Sequence, residues 1–174
     1  MDTGMDFLKA QVNNAVMSHK AFVDALADHE DQADDQRFRE LCRRYRPIMQ
    51  DMQDQLEAYQ QELGAEAGVV KKAMGSVAGG ARDLADVARS DDFLRLVGDI
   101  ILSDQTEDTM KTFREAGRQL GNTRLQAIGT EGEQHHDNYN RDANRLVQSM
   151  FVERVRGLER PAEAKAGTRP RPAV

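Results

Sequence analysis

The chain has 174 residues, of which 39% are hydrophobic, 31% charged and 5% aromatic, with no Trp and only four Pro. This length fits one domain with or without a tail and argues against two, and the composition is typical of a helical globular protein. The 24 basic and 30 acidic residues give a net charge of −6. That charge disfavours general attraction to nucleic acid or to an anionic membrane surface.

The hydropathy of the chain indicates a cytoplasmic protein. No apolar run approaches the roughly 20 residues that span a bilayer, and the first residues, Met1 to Asp6, are acidic where a signal peptide is basic. The single Cys42 has no partner for an intrachain disulfide or a CxxC site. We expect it to be a buried, small apolar residue.

Apolar residues at alternating steps of four and three predict two helices in the first third of the chain. On the first, over residues 5–30, these positions are Leu8, Val12, Ala15, His19, Phe22, Leu26 and His29. After an acidic turn the second carries Phe38, Leu41, Tyr45, Ile48, Met52, Leu56, Tyr59 and Leu63. Gly64 is expected to end this helix, and Pro47 to bend it without ending it.

Two further helices are predicted after a glycine-rich, partly helical connector between Gly64 and Asp92. The third runs from about Asp91 to Leu120, with an N-cap region at Ser90 to Asp92, and ends at Gly121. Its repeat is Phe93, Val97, Ile100, Asp104, Glu107, Met110 and Phe113. The fourth, over residues 123–156, carries Leu125, Ile128, Gly132, His136, Tyr139, Ala143, Leu146 and Met150.

These elements predict an all-α four-helix bundle over residues 1–157, followed by a disordered basic tail over residues 158–174. The connector has about 27 residues, which is long enough to run back along helices of roughly 40 Å at 1.5 Å per residue. We therefore expect two antiparallel hairpins joined by a long, partly helical crossover, which is the ferritin-like connectivity.

Several short motifs, in their order and spacing, resemble the bacterial ferritin-like stress proteins of the YciE/YciF type. They are Ser18-His19-Lys20 through Asp34-Asp35, Leu56-Glu57, Glu62-Leu63-Gly64, Lys72-Ala73-Met74-Gly75, Glu107, and Thr130 to Asp137. The resemblance covers about residues 7–150. It implies a ferritin-like bundle, a homodimer, a role in stress, and a core with carboxylates and histidines suited to a di-iron site.

The chain departs from that family pattern at the metal positions. By the resemblance, His19 stands at the first-helix carboxylate position, and Pro47, Ile48 and Met52 stand where the second helix has Glu, Glu and His. Glu107 is retained, but Asp108 replaces the neighbouring His. In the fourth helix the remaining ligand types are Glu131, Glu133, His135 and His136.

Only Glu133-x-x-His136 keeps the Glu-x-x-His spacing that such sites require. A partial site for iron or manganese would use His19, Glu107, Glu133 and His136. The alternative is a polar network without metal, in which His19 or His136 bonds to Glu107 or Asp104. Of the adjacent pair His135 and His136, one is expected to be exposed, because neighbouring helical side chains point about 100° apart.

Other functional classes find little support in the sequence. The cluster Arg37, Arg39, Arg43, Arg44 and Arg46 lacks interleaved aromatic residues for stacking on bases, so we expect it to pair with the acidic turn rather than to bind nucleic acid. No GxSxG, Walker loop or dinucleotide motif occurs, and no catalytic or cofactor-binding residue is assigned. The tyrosines, at helical spacing, are expected in the core.

The sequence thus favours a non-enzymatic, stress-associated structural or interaction protein, homodimeric and cytoplasmic, which has lost its di-iron site and needs no cofactor. The alternative is a metalloprotein that binds iron or manganese for redox or peroxide chemistry. A protein partner could dock on the basic tail, at Arg160, Lys165, Arg169 and Arg171. No membrane partner is expected.

Overall fold

The computed structural model describes residues 3–65 and 91–158, which form four α-helices and no strand. The helices are α1 (Thr3–Gln32), α2 (Gln36–Glu62), α3 (Asp92–Leu120) and α4 (Thr123–Leu158). All four helices were predicted, with ends that differ from the expected ones by a few residues at most. The all-α class and the helical bundle are therefore confirmed.

The helix ends follow from local chemistry. The Asp35 carboxylate accepts a hydrogen bond from the Arg37 amide at the start of α2, and Asp91 accepts one from the Phe93 amide at the start of α3. Gly64, after α2, and Gly121, after α3, have positive φ angles of 63° and 66°. Left-handed backbone of this kind favours glycine, which explains why both helices end there.

Pro47 lies inside α2, and the helix continues through it to Glu62. The prediction that it does not end the helix is confirmed. Much of the predicted connector, residues 66–90, and of the predicted tail, residues 159–174, lies outside the described residues.

Each helix packs against two others: α1 and α4 each contact both α2 and α3. Between α1 and α2, Gln60 bonds to Asn13 and Gln53 bonds to His19. Near the other end of the bundle, the Asp92 carboxylate accepts a hydrogen bond of 2.6 Å from the Asp35 amide. The first residues of α2 and of α3 therefore lie at the same end.

The core consists of two apolar clusters. On α1 the second cluster ends at Val16 and the first cluster begins at Phe22. On α4, likewise, the second cluster ends at Ile128 and the first begins at Tyr139. Buried polar residues lie where the two clusters meet, and every helix supplies at least one. We call five of them the polar layer: His19, Gln53, Ser103, Thr106 and His136.

Helices α3 and α4 approach each other closely through glycines. A Cβ added at Gly129 would lie 2.2 Å from the Arg114 backbone nitrogen, and one added at Gly117 would lie 2.3 Å from the Gln126 nitrogen. A Cβ at Gly132 would meet the Met110 side chain at 2.7 Å. Only glycine lets the two backbones come this near.

None of the four described helices combines the length and the apolar character needed to cross a bilayer.

Candidate functional site

The polar layer brings two histidines together in the middle of the bundle. His19 of α1 and His136 of α4 are both fully buried. Their ring centroids are 5.2 Å apart and their planes make an angle of 84°. Phe22 packs against both rings, at 6.5 Å from His19 and 5.3 Å from His136. Two of the four predicted metal-site residues are thus neighbours.

The hydrogen bonds of Gln53 fix the proton on His19. The Gln53 amide nitrogen donates to the Val16 carbonyl at 3.2 Å and to the Glu57 carboxylate at 2.7 Å, so its oxygen faces the His19 Nδ1 at 2.9 Å. Because that oxygen only accepts, Nδ1 must donate. In the neutral ring, Nε2 of His19 therefore carries an unprotonated lone pair.

His136 is held by a hydroxyl group instead of an amide. Its Nδ1 lies 2.8 Å from the Ser103 Oγ. A serine hydroxyl donates or accepts, so this contact is compatible with either neutral tautomer of the ring. The position of the ring proton is thus fixed in His19 but not in His136.

Burial keeps both rings neutral. It lowers the pKa of His19 to about 4, although the hydrogen bond with Gln53 partly opposes this shift. Burial also lowers the pKa of His136 well below its ordinary value, with a further contribution from His19. The Nε2 atoms of both rings are buried and meet no hydrogen-bond partner among the described residues.

The two predicted carboxylates are engaged elsewhere. Glu107 accepts a hydrogen bond of 2.8 Å from the Asn140 amide and pairs with Lys111 at 2.8 Å. Glu133 pairs with Arg114 at the partly exposed edge between α3 and α4. Within residues 3–65 and 91–158, no three His, Cys, Asp or Glu side chains converge in a way that could hold a metal ion.

The predicted partners of the histidines were wrong. His19 and His136 bond to Gln53 and Ser103 rather than to Glu107 or Asp104. Asp104 instead accepts a bond of 2.7 Å from Asn140. Sequence reasoning considered charged partners only, although amides and hydroxyls satisfy a neutral imidazole without bringing a charge into the core.

A second pair, of a buried carboxylate and a partly buried histidine, was missed altogether. Asp99 of α3 is 1% exposed, and its carboxylate lies 2.8 Å from the Nδ1 of His29. Burial raises the pKa of Asp99, while the bond with His29 opposes the shift. Burial raises the pKa of the nearby Tyr139 hydroxyl, and Asp99 shifts it in the same direction. The signal was available, because His29 belongs to the apolar repeat of the first helix.

Several single-residue predictions are confirmed. Cys42 is buried, and burial raises the pKa of its thiol. Tyr45, Tyr59 and Tyr139 are in the core. His135, unlike His136, is partly exposed, and lies 3.4 Å from Glu131.

The arginines at the start of α2 pair mainly as expected. Arg43 and Arg46 pair with Glu30, and Arg37 pairs with Asp35. Arg37 also reaches Glu153 of α4 at 2.7 Å. These contacts join α2 to the two helices that flank it.

No protein-family model matches this chain, and comparisons with curated proteins and with solved structures find no match either. The resemblance to ferritin-like stress proteins therefore stays a prediction.

Proposed function

We propose that this chain is a ferritin-like bundle that has lost its di-iron centre and serves as a structural or interaction protein in a stress response. The single observation that carries the proposal is the engagement of the two candidate carboxylates. Glu107 is held by Asn140 and Lys111, and Glu133 by Arg114. Neither joins the two buried histidines, and the role in stress rests on the sequence resemblance alone.

The ligand chemistry supports the loss of iron. Ferritin-like di-iron sites rely on inward-facing glutamates from all four helices. In α2, Pro47, Ile48 and Met52 stand at the positions that the resemblance assigns to ligands, and Met52 is fully buried. A thioether and hydrocarbon groups are poor ligands for a hard cation such as Fe(III) or Mn(II).

The proposal includes the topology of two antiparallel hairpins joined by a crossover. In support of it, the starts of α2 and α3 meet through Asp35 and Asp92, while the end of α2 reaches the turn between α3 and α4, where Asn122 donates to the Tyr59 hydroxyl. The end of α2 and the start of α3 thus lie at opposite ends of the bundle.

A homodimer in the cytoplasm completes the proposal. Large apolar side chains remain exposed on the single chain, and a second copy would cover part of them. The most exposed are Phe7, Leu120 and Phe151.

Elemental analysis tests the proposal. Protein purified from cultures supplemented with iron or manganese should contain far less than one equivalent of either metal, and the double variant Glu133→Ala/His136→Ala should contain the same amount. Stoichiometric iron or manganese that disappears in the double variant would overturn the proposal and favour the redox metalloprotein. Light scattering on the same samples should give the mass of two chains.

A further inference from the structure

The two free Nε2 atoms of the polar layer remain unexplained by a structural role. A buried polar atom without a hydrogen-bond partner costs free energy, and native proteins contain few of them. Here two such atoms, on His19 and His136, belong to neighbouring rings. Leucine at either position would fill the core without that cost, so the pair itself calls for a ligand.

The geometry of the two rings suits a shared ion. Imidazoles bound to one tetrahedral ion, at metal to nitrogen distances of about 2.0–2.1 Å, have ring centroids about 5 Å apart. The centroids of His19 and His136 are 5.2 Å apart. The Nδ1 of each ring is already bonded, to Gln53 and to Ser103, which leaves Nε2 as the free atom on both. Such an outer hydrogen bond is the usual way in which a protein orients a histidine ligand.

The charge of the surroundings selects the kind of ion. Both rings are neutral ligands, and the only buried carboxylate in the described part of the chain, Asp99, is engaged by His29. A divalent ion would bring two uncompensated charges into the core, whereas a monovalent ion brings one. Soft donors occur at the height of the polar layer, since the fully buried Met49 and Met52 precede Gln53 on α2 by four residues and by one residue. Imidazole and thioether together suit Cu(I).

We propose that His19 and His136 bind one Cu(I) ion through their Nε2 atoms in the centre of the bundle, with the thioethers of α2 as the soft groups available to complete its coordination. This site differs from the partial iron or manganese site considered above in its ion and in its ligands, since it uses neither Glu107 nor Glu133. It also does not require the proposed function to hold.

An anaerobic competition titration tests the site. The full chain is mixed with Cu(I) held by the chromogenic chelator bicinchoninate, and transfer of the ion is followed by loss of colour. The chain should withdraw one Cu(I) per molecule. His19→Leu and His136→Leu should each weaken binding by more than the roughly 10- to 100-fold that loss of an outer hydrogen-bond partner costs.

His135→Ala is the matched control, because this histidine is adjacent in sequence but partly exposed. It should bind Cu(I) as tightly as the unchanged chain. The proposal is overturned if the unchanged chain takes no Cu(I) from the chelator, or if the two leucine variants bind as well as the control.

X-ray absorption on the unchanged, copper-loaded chain keeps the test decisive if a leucine variant fails to fold. The expected spectrum is that of Cu(I) with two imidazole nitrogens, and a spectrum without imidazole would contradict the site. Parallel measurements with Fe(II) separate the two proposals. Stoichiometric Fe(II) would overturn the proposed function and leave the copper site standing, whereas failure with Cu(I) alone would overturn only the copper site.

Discussion

The two sequential helix pairs of this bundle differ in how closely their backbones approach. Helices α3 and α4 touch through positions that have no side chain, above all Gly117 and Gly129. Helices α1 and α2 are joined by buried amide and imidazole groups, with Gln53 bonded to His19 and Gln60 to Asn13. Side-chain hydrogen bonds such as that between Ser103 and His136 also link α3 to α4, but the closest approach of their backbones depends on shape. The glycine contact and the amide–imidazole contact should therefore fail under different changes.

The largest effect is expected at the glycine contact. Gly129→Ala places a methyl group against the backbone of Arg114 and Met110, which a side-chain rotation cannot relieve, so the two helices must separate. We expect the free energy of unfolding to fall by more than about 3 kcal/mol, beyond the usual range for overpacking. Urea denaturation followed by circular dichroism measures it.

Two other glycines serve as controls for that variant. Gly132→Ala meets only the flexible Met110 side chain and should cost less. Gly98→Ala, within α3, meets nothing within 4 Å and should stabilise the chain by about 0.5–1 kcal/mol through helix propensity. Equal losses at Gly129 and Gly98 would contradict a close backbone contact.

Acidification tests the buried imidazole contact between α1 and α2, because the glycine contact carries no titratable group. The folded chain holds His19 with a pKa of about 4, whereas the ordinary value is 6.5. Below pH 6.5 the unfolded chain takes up a proton that the folded chain does not, so stability falls with pH until it levels off near pH 4. His19 alone should cost about 2 kcal/mol between pH 7.5 and pH 5.

The comparison of the unchanged chain with His19→Leu isolates that contribution. The pH dependence should be shallower in the variant than in the unchanged chain. Asp99 acts in the opposite direction, since its pKa is raised in the fold. An unchanged slope in His19→Leu would show that His19 is not buried in its neutral form.

A smaller loss of stability is expected when only the hydrogen bonds of the Gln53 amide are removed. Gln53→Leu leaves the Nδ1 of His19 without an acceptor and should cost about 1.5 kcal/mol at pH 7.5. Gln50→Leu, three residues earlier and exposed, is the matched control and should have almost no effect. Chemical denaturation of both variants gives the difference. Equal denaturation midpoints for Gln53→Leu and Gln50→Leu would mean that the hydrogen bonds of Gln53 contribute nothing to the contact between α1 and α2.

The smallest effect is expected at the surface between the pairs. Arg37 of α2 bonds to Glu153 of α4, but both side chains are about half exposed. Arg37→Ala should cost less than about 1 kcal/mol, and the loss should shrink in high salt, because exposed ion pairs are screened. A larger loss, insensitive to salt, would assign Arg37 a packing role instead.

The helices could be predicted because their signals are local. A repeat of apolar residues, an acidic N-cap such as Asp91 and a terminal glycine such as Gly121 each act within one or two turns of the same helix. Gly132 was placed on the inner face of the fourth helix, yet the close contacts of Gly117 and Gly129 were not foreseen. A glycine in a helix looks the same in sequence whether it weakens the helix or admits a neighbouring backbone.

The site could be predicted only in part, for a similar reason. The repeats correctly place His19 and His136 in the core. They do not show that Glu133, three residues before His136, lies at the edge of that face within reach of Arg114. The choice of Gln53 and Ser103 as partners depends on which helices lie side by side and at what height, which a single sequence does not fix.

The polar layer also sets the alignment of the helices along their length. If α1 slid by one turn so that His19 faced Met49 instead of Gln53, its Nδ1 proton would lose the acceptor that it now has. Purely hydrocarbon cores tolerate such shifts, whereas a single buried polar position can specify one register, as in coiled coils. The five side chains of the polar layer would thus select one register of the four helices among several whose apolar contacts are equally favourable.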